Sequence, residues 1–140
     1  MYNIVIDEKQ KLIVGKEAIF ESCSLNDNNY SVVFEDDGNT GYFYALNSNY
    51  KNPIQEALHI YNVENVVDKD IPSELIIAWS KNGNKSILFI NNYPHATLDF
   101  DNKSGQCRTG FPPRNKSSVW SINGHEWNEE IFNEILYGKK

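Results

Sequence analysis

Residues 31–46 read SVVFEDDGNTGYFYAL, and this stretch decides the fold class. Two apolar, β-prone runs, Val32-Val33-Phe34 and Tyr42-Phe43-Tyr44, flank an acidic turn of Glu35, Asp36, Asp37, Gly38, Asn39, Thr40 and Gly41. An Asp-Gly pair between β-prone runs is a strong hairpin signal, because the glycine supplies the positive φ that a tight reversal needs. The expectation is a β-hairpin displaying carboxylates at its tip.

Downstream, Leu75–Trp79 and Ile87–Ile90 are continuous apolar runs separated by a polar turn, as in strands covered on both faces. His95–Phe100 alternates instead. Ala96, Leu98 and Phe100 share one side and His95, Thr97 and Asp99 the other, which predicts one covered and one wetter face. These three segments form a meander.

Upstream, Tyr2–Ile6 and Lys11–Val14 read as a short N-terminal hairpin around a charged turn, and Ala18–Ser24 as a further strand. Between the hairpin and the meander the period changes. Asn52 is a good N-cap, Pro53 suits the first helical position and Gln55 stands in capping-box register. Ile54, Ala57, Leu58 and Tyr61 then fall on one helical face, which predicts a short central helix over residues 52–61.

Lys103–Lys116 is broken by glycines and prolines and reads as a long loop, and Val119–Ile122 as a last strand. From about Glu126 to Tyr137, the stripe Trp127, Ile131, Phe132, Ile135 and Leu136 predicts a C-terminal helix. Gly138 is its stop, and Lys139 and Lys140 complement its negative end. The expected architecture is α+β: a mainly antiparallel sheet, with a central and a C-terminal helix packed on it, in a single domain spanning residues 1–140.

Composition narrows the function. A formal charge of −6 with only two arginines, Arg108 and Arg114, argues against a module that grips nucleic-acid phosphates. No apolar run reaches membrane-spanning length and the N-terminus lacks signal-peptide character, so a cytoplasmic location with Cys23 and Cys107 reduced is expected. No cofactor is implied. Phosphate-binding, dinucleotide and nucleophile-elbow motifs are missing from the sequence.

Three constellations carry chemistry. The acidic turn invites a metal, but adjacent strand residues such as Asp36 and Asp37 point to opposite faces and the loop lacks EF-hand spacing, so no metal site is assigned. A second set, His95, Asp99, Cys107 and Arg108, holds the raw material of an enzyme or small-ligand site: an imidazole sharing a strand face with a carboxylate, and a thiol beside a cation. Arg108 could equally pair with Asp36, Asp37, Asp99 or Asp101. The third set joins the acidic residues Glu35, Asp36, Asp37, Asp99 and Asp101 with Tyr42 and Tyr44, an assortment suited to steering and anchoring a basic protein partner.

The runs Val33–Ala45 and Ala57–Val63, with Ile77–Ser80, His95, Asp99, Cys107-Arg108 and Phe111-Pro112-Pro113, resemble a bacterial family of unknown function over roughly Val32–Pro113. The resemblance implies a small bacterial protein and brings no catalytic set. Some such acidic proteins are immunity proteins that neutralise a toxin encoded by a neighbouring gene. The leading expectation is therefore stoichiometric capture of a basic toxin domain, such as a nuclease; the alternatives are the enzyme or ligand site above and a sheet edge used for dimerisation.

Overall fold

In the computed structural model, which describes residues 2–138, nine strands form two antiparallel sheets, with one α-helix among the described residues. The strands are β1 (Ile4–Leu12), β2 (Ala18–Cys23), β3 (Tyr30–Asp36), β4 (Thr40–Asn47), β5 (Ile54–Asn62), β6 (Ser73–Ser80), β7 (Lys85–Ile90), β8 (Tyr93–Asp99) and β9 (Ser104–Cys107). Helix α1 covers Glu129–Tyr137. One sheet runs β1-β6-β7-β8-β9 and the other β2-β3-β4-β5, so β2–β5 and β6–β9 are meanders and the chain returns to the first sheet at β6, which pairs with β1.

The hairpin forms as expected. Residues of β3 and β4 pair from Tyr30 with Asn47 to Asp36 with Gly41, and Gly38 turns the chain at φ 95°. The three strands of the apolar meander form too, as β6, β7 and β8. Their runs are covered on both sides because Leu75, Ile77, Trp79 and Leu88 face the opposite sheet, while Phe132, Ile135 and Leu136 of α1 pack with Ile87 on the outer surface. Burial of the helix stripe, each large apolar side chain contributing roughly 1.5–3 kcal/mol, is what holds so short a helix in place.

The α+β expectation is overturned: the protein is essentially all-β. Residues 54–62 are β5, not a helix. Asn52 Oδ1 accepts the Ile54 N–H at 3.3 Å and Gln55 Nε2 donates to the Asn52 carbonyl at 2.9 Å, so the cap-like residues close a turn that feeds a strand. Leu58 and Ile60 are buried against the core, and β5 satisfies its backbone by pairing along β4. That ladder and the burial outweigh a weak helical periodicity.

Other boundaries move for similar reasons. Tyr2–Ile6 and Lys11–Val14 do not form a hairpin; β1 runs straight through the charged segment, pairing with β6 with a bulge at Asp7. An edge strand can keep Glu8, Lys9 and Lys11 solvated without a turn. The outward side of β8 is not wet, since Thr97 and Asp99 are buried beneath the chain that follows. The 103–116 loop begins with β9, residues 119–122 form turns, and α1 starts three residues later than expected, at Glu129, with Asn128 as its N-cap. Gly138 ends it in the left-handed conformation; Lys139 and Lys140 lie outside the described residues.

Candidate protein-interaction face

With α1 on the outer side of the five-stranded sheet, the outer side of the four-stranded sheet is left open. Strand alternation and register place Ile19, Glu35, Tyr42 and His59 in one row across it, and Glu21, Val33, Tyr44 and Ala57 in the next. Ile19 is 67% exposed and the two tyrosines are half-buried. The four strands contain no lysine or arginine. Their outward charges are Glu21 and Glu35.

Within this face the side chains support one another. The rings of Tyr42 and Tyr44 stack with centroids 5.8 Å apart and planes 16° from parallel. His59 meets Tyr42 edge-on at 5.4 Å, and its Nε2 lies 3.0 Å from Asn62 Oδ1. The Tyr44 hydroxyl donates to Glu35 Oε1 at 3.5 Å. Burial, with the Glu35 charge behind it, raises the Tyr44 pKa and keeps the phenol neutral.

Of the seven residues expected to meet a partner, Glu35, Tyr42 and Tyr44 are brought together here. Asp37 stays at the exposed tip, where its Oδ1 accepts the Asn39 and Thr40 N–H groups at 2.9 and 2.8 Å and these bonds lower its pKa. Asp36 turns inward and is buried. It accepts from Gly15 N (2.8 Å), Gly38 N (2.8 Å) and the Tyr61 hydroxyl (2.7 Å), so its carboxylate is a structural tie.

Asp99 and Asp101 belong to the other sheet. Asp99 is buried and holds the turn after β8 by accepting from Asp101 N, Asn102 N and Asn102 Nδ2. Lys85 Nζ stands 3.9 Å from Asp99 and 3.6 Å from Asp101.

The second constellation is dispersed. Cys107 pairs in register with Ala96, so its side chain joins the core between the sheets, whereas His95 and Asp99 lie on the opposite side of β8. Four residues of strand separate His95 from Asp99, about 13 Å. Arg108 is not paired with Asp36, Asp37, Asp99 or Asp101. Its guanidinium lies 3.9 Å from the Trp127 ring centroid and 4.5 Å from that of Tyr93, donates from Nε to the Pro94 carbonyl, and comes within 3.8 Å of Glu129. Burial, with Arg108 adding to it, pushes the His95 pKa down to about 4, and burial raises that of the Cys107 thiol. A thiol in that state is a poor nucleophile. Trp120 is core, while Tyr93 and Phe111 are exposed.

A buried cluster escaped the sequence reading altogether. Glu56, on the inward side of β5, accepts from the Ser121 hydroxyl and lies 3.1 Å from His125 Nε2, an ion-pair contact. The His125 Nδ1–H donates to the Pro112 carbonyl. Glu56 raises the His125 pKa against the opposing effect of burial. The cluster straps the 108–128 segment across the β5 edge, helped by bonds from His59 N to the Phe111 carbonyl and from Thr109 Oγ1 to the His59 carbonyl. With Ser121 bonded to Glu56 and not to the imidazole, it is not arranged as a nucleophile and base.

Fold and face together define a two-sheet β-sandwich, backed by one helix and bearing an open acidic and aromatic surface. Residues 12–136 match the model of the family described as "Uncharacterized protein conserved in bacteria (DUF2251)", and the chain belongs to that family. It is 39% identical over 106 residues to an "Uncharacterized protein" of Haemophilus influenzae, the match spanning 75% of this chain and 62% of the relative. No solved structure matches. No helix among the described residues is long and apolar enough to cross a membrane.

Proposed function

We propose that this is a binding protein that captures a basic protein partner on the open face of the four-stranded sheet. The observation that carries the reading is charge segregation: that sheet has no lysine or arginine, and its outward side joins Glu21 and Glu35 to a stacked tyrosine pair. Acidic groups speed encounter with a cationic surface, and tyrosines supply large, rigid contact area at low entropic cost. In its finer form the partner is a toxin domain, such as a nuclease, held in stoichiometric complex by its immunity protein.

The test is co-purification with the basic product of an adjoining gene. A one-to-one complex by light scattering is expected, weakened by Tyr42→Ala with Tyr44→Ala by about 2 kcal/mol or more, roughly thirtyfold in Kd. Unaltered binding by that double variant removes the face, and a neighbour that is neither bound nor neutralised removes the finer form.

A further inference from the structure

We infer that the Tyr42–Tyr44 pair, with Glu35 beside it, is the seat of one arginine side chain of the partner. This rests on the reading of the open face as the docking surface and names the group that docks.

The two rings lie nearly parallel, and at 5.8 Å their centroids are too close to admit anything between them. A ligand therefore stacks on the outside of the pair. Edge-on His59 occupies the Tyr42 end, leaving the Tyr44 side for a visitor. Glu35 stands opposite Tyr42 in register and within 3.5 Å of the Tyr44 hydroxyl, which fixes its carboxylate at the rim of the rings. Among the described residues neither Glu35 nor Glu21 has an ion-pair partner.

A π-surface rimmed by an uncompensated carboxylate attracts a cation by two independent forces, the ring quadrupole and the full charge. Guanidinium suits it better than ammonium. It is planar, so it stacks on the ring while its forked N–H groups point sideways to the carboxylate, and its weaker hydration makes desolvation less costly. Elsewhere the fold already uses this chemistry, with Arg108 held between Tyr93 and Trp127 beside Glu129. The open face presents the aromatic and acidic half of such a contact without the arginine.

The experiment titrates the full chain with acetylated hexa-arginine amide, following tyrosine ring signals by proton–carbon NMR, with hexa-lysine and hexa-citrulline as controls. Saturable movement of the Tyr42 and Tyr44 signals is expected with hexa-arginine and none with hexa-citrulline. Hexa-lysine, Glu35→Gln and Tyr44→Leu should each weaken binding about threefold or more. Backbone spectra of the variants report whether they fold, and Tyr44→Phe, which keeps the ring, should retain most of the affinity.

Equal affinity for lysine and arginine peptides, signals that move only away from the pair, or unchanged binding by Glu35→Gln and Tyr44→Leu would each overturn the assignment. The two readings fail separately. A neighbouring-gene product lost on Tyr42→Ala with Tyr44→Ala, while hexa-arginine leaves the rings untouched, sinks the arginine seat and keeps the face. A product bound equally by that variant, while hexa-arginine seats as expected, removes the face as the docking surface and leaves a cation seat that no arginine of this partner occupies.

Discussion

The Tyr61 hydroxyl donates to Asp36 Oδ2 at 2.7 Å, tying the end of β5 to the end of β3 across the intervening β4. The same carboxylate accepts from Gly15 in the crossing between sheets and from Gly38 in the hairpin, so one buried charge fixes three chain segments. Its removal orphans two backbone N–H groups and a phenol. Asp36→Ala should cost about 3 kcal/mol, and Tyr61→Phe about 1 kcal/mol, in urea unfolding. The double variant should cost less than the sum. A loss under half a unit for Asp36→Ala would show that the carboxylate carries no such role.

That inward placement was legible: Val32, Phe34 and Asp36 share the parity of one strand face, and the two apolar residues mark it as the core side. What the sequence could not show was Gly15 and Tyr61, whose approach depends on how the two sheets meet. The same limit explains residues 52–61. Their local signals favour a helix, and only the presence of β4 as a neighbour makes the alternation of Leu58 and Ile60 the stronger pattern. Tyr42, Tyr44 and Glu35 could be assigned to one face from period two alone, but His59 was lost to it with the helix. Glu56 stands 65 residues before Ser121, too far along the chain for it to be linked with Ser121 or His125.

Gly41 is a packing requirement of the same lock. A Cβ there would stand 2.7 Å from Tyr61 Cζ, inside the ring's van der Waals envelope. Gly41→Ala must push the phenol away from Asp36, with an expected loss of about 1–3 kcal/mol. Combining it with Tyr61→Leu, which removes the ring, should recover part of that loss in the same unfolding assay.

The two thiols should separate cleanly in a reactivity assay. Cys23 is exposed at the end of β2, whereas Cys107 is fully buried with its Sγ directed at the Phe111 carbonyl. Both pKa values are raised, chiefly by burial, so accessibility sets the rates. One thiol should react promptly with a disulfide reagent in the native protein, and the second only on unfolding. Cys23→Ser should abolish the prompt phase. Fast labelling of Cys107 in the native chain would restore the case for a nucleophile there.

Glu56 and His125 give stability a pH dependence of defined sign. Glu56, 3.1 Å from the ring, raises the imidazole pKa in the fold, whereas in the unfolded chain it returns to about 6.5. The folded state therefore binds the proton more tightly. The contribution of the pair is fully present below the unfolded value and is lost as pH rises through the raised folded value. NMR titration of His125 should give a midpoint above 6.5, and urea midpoints should fall between that lower limit and the folded pKa. Glu56→Gln removes the charge while keeping an acceptor for Ser121, so it should lower the His125 midpoint and flatten the decline in this window. A His125 midpoint unchanged by Glu56→Gln would mean that the imidazole is held by the Pro112 carbonyl alone, and the strap across β5 would then owe nothing to the ion pair.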